Sequence, residues 1–223
     1  MFTEKRVVEN GRYTLGLVLE IHKFTWTPVT LFFTLLYNNY SQRMMLMNSL
    51  FGGYGMLWVL KSNYFYDKNF YMNTQHEHDI KGALLCYLSV SVYYLFPYLA
   101  ATNNNEISIY ETYLSTLLYT IGLFLHYGSD SQKYYTMKYN PNKLITEGLY
   151  SIVRHPNYSG EFLMWFGLIL IAGKEQILSY VPLLWLCLAT ILSGMPEKEK
   201  SLKKYDEYQN WKENTKALIP FVY

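Results

Sequence analysis

The longest uncharged stretch of the chain restricts its fold more than any other feature. Residues Gly82–Ala101 contain no Asp, Glu, Lys or Arg. A helix rises about 1.5 Å per residue, so this stretch is long enough to cross a hydrocarbon core of about 30 Å. The whole chain is 51% hydrophobic and 16% charged over 223 residues, which is more apolar and less charged than a typical soluble domain. The sequence therefore predicts an integral membrane protein.

Apolar blocks bounded by charges or turn residues recur along the chain and predict an all-α fold, a polytopic membrane bundle of about six transmembrane helices. The blocks lie at residues 24–37, 44–60, 82–101, 112–127, 158–172 and 177–194. Only Gly173–Gln176 separates the last two blocks, so we expect a helical hairpin near the C-terminus. No strand, repeat or second domain is expected, and residues 1–223 are predicted to form one integral membrane domain.

Basic residues are distributed unevenly across this six-span arrangement. Of the 19 Lys and Arg residues, 17 fall on the side that holds both termini, and only Arg43 and Lys174 fall on the other. The positive-inside rule assigns the basic side to the cytoplasm or the mitochondrial matrix. We therefore expect a protein of the endoplasmic reticulum or the mitochondrial inner membrane, with both termini on the cytoplasmic or matrix side.

Composition also limits the ligands and partners of the chain. The net charge of +2 offers no electrostatic case for nucleic acid as a partner. Cys86 and Cys187 both lie in apolar runs, where a thiol behaves as a small hydrophobic group. Neither a disulfide framework nor a metal site is expected.

The stretch from Arg154 to Glu161 is the most informative part of the sequence. Pro156 disfavours helix before it, so a helix is expected to begin at Asn157. The free N–H groups of that helix, together with Arg154 and His155, would form an anion-binding pocket at the membrane surface that suits phosphate. In the alternative interpretation, Arg154 and His155 are interfacial side chains, and Glu161 is a charge favoured by the helix dipole.

The pattern Arg-His-Pro-x-Tyr-x-Gly, from Arg154 to Gly160, is similar to the signature of membrane isoprenylcysteine carboxyl methyltransferases and phospholipid methyltransferases. The longer form with Asn157 and Glu161 more closely resembles the steroid-5-alpha-reductase-like membrane family. The resemblance is specific from about residue 118 to the end. It includes residues 129–133, 142–149, 193–196, 199–200 and 205–220.

This resemblance implies that residues 118–223 form a cofactor-pocket half. In steroid 5-alpha-reductases that pocket holds NADPH, and the matching positions here are Asp130, Asn157, Glu161 and Trp165. The wider set of cofactor-binding candidates adds His126, Lys133, Arg154, His155, Tyr158, Glu199 and Tyr208. The methyltransferase relatives bind S-adenosylmethionine in an overlapping place. Because both ligands contain adenosine, the pocket motif does not distinguish between them.

The resemblance also suggests catalytic candidates in the N-terminal half. Steroid reductases use a glutamate and a tyrosine to protonate the enone oxygen as hydride reaches the β carbon, and Glu20 and Tyr54 are the candidates here. Glu20 could instead pair at the interface with His22 or Lys23. The chain departs from the family at residues 54–58, where the intramembrane arginine of Trp-Gly-x-Arg-Leu is absent, and at His126, where steroid reductases have asparagine.

Three functions are consistent with these features. The first is NADPH-dependent reduction of a C=C bond in a lipophilic substrate such as a steroid or an enone lipid. The second is a family member with reduced catalysis that serves as a structural or lipid-binding subunit of a larger membrane complex, such as a respiratory-chain assembly. The third is a methyltransferase that uses S-adenosylmethionine on a lipid or an isoprenylcysteine. The expected partners are membrane lipids, a lipophilic small molecule and other membrane-protein subunits.

Overall fold

The computed structural model of the chain describes residues 12–65 and 77–219, and these residues are mainly helical. Pro220, the last residue of the closing motif segment, lies outside them. The α-helices are α1 Leu15–Phe24, α2 Trp26–Leu36, α3 Gln42–Met47, α4 Gly53–Tyr64, α5 Ile80–Val90, α6 Leu95–Thr102, α7 Ile109–Tyr139, α8 Pro156–Ala172, α9 Val181–Ala189, α10 Met195–Leu202 and α11 Tyr208–Asn214. The predicted helical fold class is therefore confirmed for the main part of the described residues.

Short irregular helical turns join several of these helices. A π-helical turn, Asn48–Gly52, links α3 to α4, and a second, Thr190–Gly194, links α9 to α10. A 3-10 turn, Ser91–Tyr94, links α5 to α6, and others span Gly148–Ser151 and Ile177–Tyr180. Each of the six predicted apolar blocks therefore falls almost wholly within a helix or a nearly continuous helical run.

Two helical stretches within residues 12–65 and 77–219 are long and apolar enough to cross a membrane. They are Ile80–Thr102 and Ile177–Leu202. Large apolar side chains on the first of them face outward, with Leu84, Leu85 and Leu88 57%, 68% and 58% exposed. These features indicate a membrane location. The count of six spans stays a prediction.

The structure corrects two expectations about secondary structure. Contrary to the prediction of no strands, β1 Tyr13–Thr14 pairs antiparallel with β2 Glu77–His78, with Tyr13 opposite His78. The fourth block was expected to end at residue 127, but α7 runs over 31 residues to Tyr139. Gly128 does not interrupt it because most of the residues that follow tolerate helix, and Pro141 prevents further extension. Asp130 and Lys133 therefore lie on a helix and not in a loop.

The chain divides into two compact units. Unit 1 comprises the described residues up to Ser108 together with Ile171–Ser179. Its core includes Trp26, whose ring stacks on that of Phe51 with centroids 3.9 Å apart. The buried Arg43 guanidinium donates to the backbone carbonyls of Asn105 and Ile171. Asn103 donates to the Ala172 carbonyl and to Glu175, so polar side chains hold the ends of this unit's segments together.

Unit 2 comprises Ile109–Leu170 and Tyr180–Tyr223, of which the residues to 219 are described. Its helices α7 and α8 approach closely at glycines: a Cβ on Gly160 would lie 2.4 Å from the Gly122 carbonyl oxygen. Small residues permit such close approach of helix backbones. The residues just before α8 are held by the C-terminal segment, because Arg154 N–H donates to the Lys216 carbonyl and His155 N–H to that of Ala217.

Candidate functional site

The first group of candidate residues surrounds His126 in unit 2. Its Nδ1 atom lies 3.2 Å from the backbone oxygen of Asn157, in the first turn of α8. The Glu161 carboxylate lies 3.9 Å from the same nitrogen, and the Asp130 carboxylate lies 3.9 Å from Nε2. The close approach of Gly122 and Gly160 allows the contacts of His126 with α8, because a bulkier residue at either position would separate α7 from α8. We call His126, Asp130, Asn157 and Glu161 the His126 cluster.

The His126 cluster is a hydrogen-bonding site in which the histidine is buried and the two carboxylates are partly exposed. A carbonyl oxygen only accepts, so Nδ1 of His126 carries the hydrogen that faces Asn157. The His126 side chain is 3% exposed, whereas those of Asp130 and Glu161 are 25% and 14% exposed. Within the described residues the Asn157 side chain makes no hydrogen bond. The Glu161 carboxylate and the Asn157 amide can therefore contact a ligand.

Three further candidates lie on the same two helices. Trp165, one turn after Glu161, is 1% exposed and belongs to the core. The Tyr158 ring lies 4.0 Å from the Lys198 ammonium, and a Cβ on Gly194 would lie 2.5 Å from the Tyr158 hydroxyl. Lys133 is half-buried on α7. Of the three, Trp165 has too little exposed surface to contact a ligand without movement of its neighbours.

The second group surrounds the carboxylate of Glu199. Arg154 Nε donates to Oε1 at 2.8 Å, and His155 Nε2 lies 2.9 Å from the same oxygen. The Tyr208 hydroxyl donates to Oε2. Arg154 also donates to the backbone carbonyls of Lys212 and Thr215. These contacts join the start of α8 to the C-terminal segment, and we call Arg154, His155, Glu199 and Tyr208 the Glu199 cluster.

Burial and charge set the protonation of the Glu199 cluster. Burial is the main cause that lowers the pKa of His155 to about 4, and Lys198 lowers it further against the opposing effect of Glu199. His155 is therefore neutral at pH 7 and donates its Nε2 hydrogen to the carboxylate. Burial, followed by the hydrogen bond to Glu199, raises the pKa of Tyr208 to about 12. The tyrosine thus remains a donor over the physiological range.

The contacts in the structure place the predicted cofactor-binding residues in two clusters, and one pocket shared by both clusters stays a prediction. A cavity of about 600 Å³ is lined by Arg154, Glu199 and Tyr208, but Asp130, Asn157 and Glu161 are not among its lining residues. Arg154 and His155 were expected to face phosphate, yet both bind Glu199. None of the four lysines that line this cavity was predicted as a site residue. They are Lys200, Lys203, Lys212 and Lys216, and their density in the C-terminal segment was the available signal.

The two catalytic candidates lie in unit 1. Glu20 is 7% exposed and accepts a hydrogen bond from Ser62 at 2.9 Å. Tyr54 is 1% exposed, and its ring centroid lies 4.9 Å from the Lys23 ammonium. That ammonium lies over the Trp26 ring at 3.7 Å. The structure adds Lys23 and Ser62 to the surroundings of the two candidates. Neither was predicted as a site residue.

Comparison with known proteins gives one family and several distant relatives. The model of a family described as protein of unknown function (DUF1295) matches residues 23–215. The Delta(14)-sterol reductase of Mus musculus is 28% identical over 49% of this chain and 30% of its own length. A probable 7-dehydrocholesterol reductase of Acanthamoeba polyphaga mimivirus is 25% identical over 72% of this chain and 42% of its own.

A third relative is a methyltransferase. Protein-S-isoprenylcysteine O-methyltransferase B of Arabidopsis thaliana is 31% identical over 36% of this chain and 41% of its own length. In each of the three comparisons, the chain therefore spans less than half the length of the curated relative that it matches. The predicted resemblance to reductase-like proteins and to their methyltransferase relatives is confirmed.

Proposed function

The chain belongs to the DUF1295 family, and from that membership and the His126 cluster we propose that it is a membrane-embedded oxidoreductase. In this proposal NADPH reduces a C=C bond of a lipophilic substrate such as a steroid or an enone lipid. The sterol reductase relatives support the reaction class. The membrane would be that of the endoplasmic reticulum or the inner mitochondrial membrane, with both termini on the cytoplasmic or matrix side.

The observation that supports the proposal most directly is the convergence of two motif segments at His126. Asp130 comes from the segment Ser129–Lys133, and Asn157 and Glu161 come from the Arg-His-Pro motif. Their chemistry fits a nicotinamide nucleotide. A carboxylate accepts from ribose hydroxyls, and the Asn157 amide can both donate to and accept from a carboxamide.

NADPH, when bound, would supply hydride to the substrate. The residues of this chain would bind and orient it: Glu161 would accept from a ribose hydroxyl, and Asn157 would bond the carboxamide. His126 would hold the first turn of α8 through the Asn157 backbone oxygen. Glu20 and Tyr54 stay the predicted proton donors for the reduction of such a substrate.

Calorimetric titration of the full chain in nanodiscs with NADPH tests the cofactor site. Loss of hydrogen bonds from Asn157→Ala combined with Glu161→Gln should weaken binding about tenfold or more. Glu147→Gln is the matched control, since Glu147 is 68% exposed and contacts Lys143. Absence of NADPH binding at millimolar concentration would exclude the reductase.

One relative favours a second candidate function. The similarity to an isoprenylcysteine methyltransferase makes methyl transfer from S-adenosylmethionine to a lipid or an isoprenylcysteine the alternative chemistry. The same titration with S-adenosylmethionine in place of NADPH separates the two. NADPH binding without NADPH oxidation across a panel of enone lipids would instead support a structural or lipid-binding subunit of a larger membrane complex.

A further inference from the structure

We propose that the lysine-lined cavity of unit 2 binds the phosphate group of an anionic phospholipid. This site is additional to the proposed nucleotide site, because its lining residues do not include Asp130, Asn157 or Glu161. The cavity, of about 600 Å³, is lined by five cationic side chains and one carboxylate, Glu199.

Charge in this cavity is strongly unbalanced. The Glu199 carboxylate already accepts from Arg154, His155 and Tyr208. Within residues 12–65 and 77–219, no carboxylate lies within 4.0 Å of the four lysine ammoniums, which belong to Lys200, Lys203, Lys212 and Lys216. Like charges gathered in one concavity raise the local concentration of anions. The cavity therefore favours a ligand with a concentrated negative charge such as phosphate.

The other part of the lining is apolar and belongs to a candidate membrane span. Ile191 and Met195 line the cavity and lie within Ile177–Leu202. Leu192, beside Ile191, is 71% exposed. The cavity thus lies where an apolar helical stretch gives way to a lysine-rich segment. An amphiphile with a phosphate headgroup matches both parts, because its acyl chains can lie against the aliphatic side chains.

The same lining disfavours a dinucleotide. Its one aromatic residue is Tyr208, which is 4% exposed and donates its hydroxyl to Glu199. An adenine ring would find no exposed aromatic face in the lining on which to stack. The one arginine of the lining, Arg154, already donates to Glu199 and to the Thr215 carbonyl, so the four lysines supply the point charges for a phosphate. A cluster of lysines near the end of a membrane helix is the usual arrangement for anionic headgroups.

Titration with short-chain lipids tests the site. The full chain in a zwitterionic nanodisc is titrated with dioctanoyl phosphatidic acid, with dioctanoyl phosphatidylcholine, and with inorganic phosphate. Each lysine near an anionic headgroup contributes roughly fivefold in affinity. Lys203→Gln with Lys212→Gln should therefore weaken phosphatidic acid binding about 25-fold. Both lysines are exposed, so the fold should tolerate the change.

The matched control is Lys143→Gln with Lys204→Gln. Both residues are exposed lysines of unit 2 outside the cavity lining, and binding should not change. An unchanged affinity in the Lys203 and Lys212 double variant, or equal affinity for phosphatidylcholine, overturns the proposal. Inorganic phosphate that binds as tightly as the lipid, or NADPH that competes with the lipid, also overturns it. Because NADPH binding is scored separately with the Asn157 and Glu161 variants, failure here is distinguishable from failure of the proposed function.

Discussion

At the residue scale, the three hydrogen bonds accepted by Glu199 predict the cost of its removal. Glu199→Ala would leave the Arg154 guanidinium, whose side chain is 11% exposed, without its carboxylate. Removal of one partner of a largely buried ion pair costs about 3 kcal/mol of unfolding free energy. Denaturant unfolding in detergent measures the loss. The exposed Glu213, replaced by alanine, should cost less than about 0.5 kcal/mol; similar losses at both positions would contradict the assigned role.

His155 predicts a pH dependence of stability. Its pKa of about 4 in the folded protein lies below the unfolded value of about 6.5. The unfolded chain therefore binds more protons between these values, and stability falls as the pH drops from about 6.5 to 4. His155→Gln keeps a donor for Glu199 but removes the titration, so its unfolding free energy should vary less over this range. An unaltered pH profile would show that other groups cause the loss.

The two clusters differ in how far the sequence could predict them. Asp130, Asn157 and Glu161 were grouped by their match to family motifs, and the structure brings them to His126. Glu199 lies 45 positions after Arg154, and no local spacing joins the two residues. The sequence therefore suggested phosphate as the partner of Arg154, whereas tertiary packing provides an internal carboxylate.

At the element scale, the contact of α7 with α8 predicts a strong effect of Gly160→Ala. The added Cβ would lie 2.4 Å from the Gly122 carbonyl oxygen and 2.7 Å from the backbone nitrogen of His126. The helices must move apart, at a cost of about 1–3 kcal/mol of unfolding free energy. If the proposed function holds, NADPH binding weakens as well, since the His126 cluster spans the same contact.

Gly53→Ala is the control for this prediction. A Cβ at Gly53 would meet no atom within 4 Å, so the change should be neutral or stabilise α4 by up to about 1 kcal/mol. Thermal unfolding of both variants in the same detergent makes the comparison. Equal stability of the Gly160 and Gly53 variants would contradict the close approach of α7 and α8.

Helix positions were more predictable than helix ends. The apolar blocks indicated where helices lie, because length and hydrophobicity are properties of a continuous segment. They did not indicate that α7 continues to Tyr139, since its polar continuation resembles a loop in hydropathy. Nor did they indicate the 3-10 turn Ser91–Tyr94. Pro97 has no N–H to donate to the Tyr93 carbonyl, and the tighter turn just before it accommodates that loss.

At the scale of the whole molecule, the charge asymmetry predicts the sidedness of the chain. Outward-facing leucines on α5 and the two apolar stretches Ile80–Thr102 and Ile177–Leu202 favour a nonpolar surrounding. They do not determine which end of a helix faces which compartment. Basic residues provide that information, because Lys and Arg are retained on the cytoplasmic or matrix side. The predicted side of each loop therefore depends on the number of spans. Six spans are predicted from the hydropathy of the sequence alone.

Labelling of single cysteines tests this arrangement. In a background of Cys86→Ala and Cys187→Ala, the substitutions Arg12→Cys, Lys204→Cys and Lys174→Cys each introduce one thiol. Arg12 and Lys204 lie on the predicted basic side, and Lys174 lies in the turn between the last two predicted spans. In sealed vesicles of one orientation, a membrane-impermeant reagent should modify the first two positions together and Lys174→Cys only from the opposite side. An odd number of spans would give opposite accessibility of Arg12→Cys and Lys204→Cys, because each crossing reverses the side on which the chain continues.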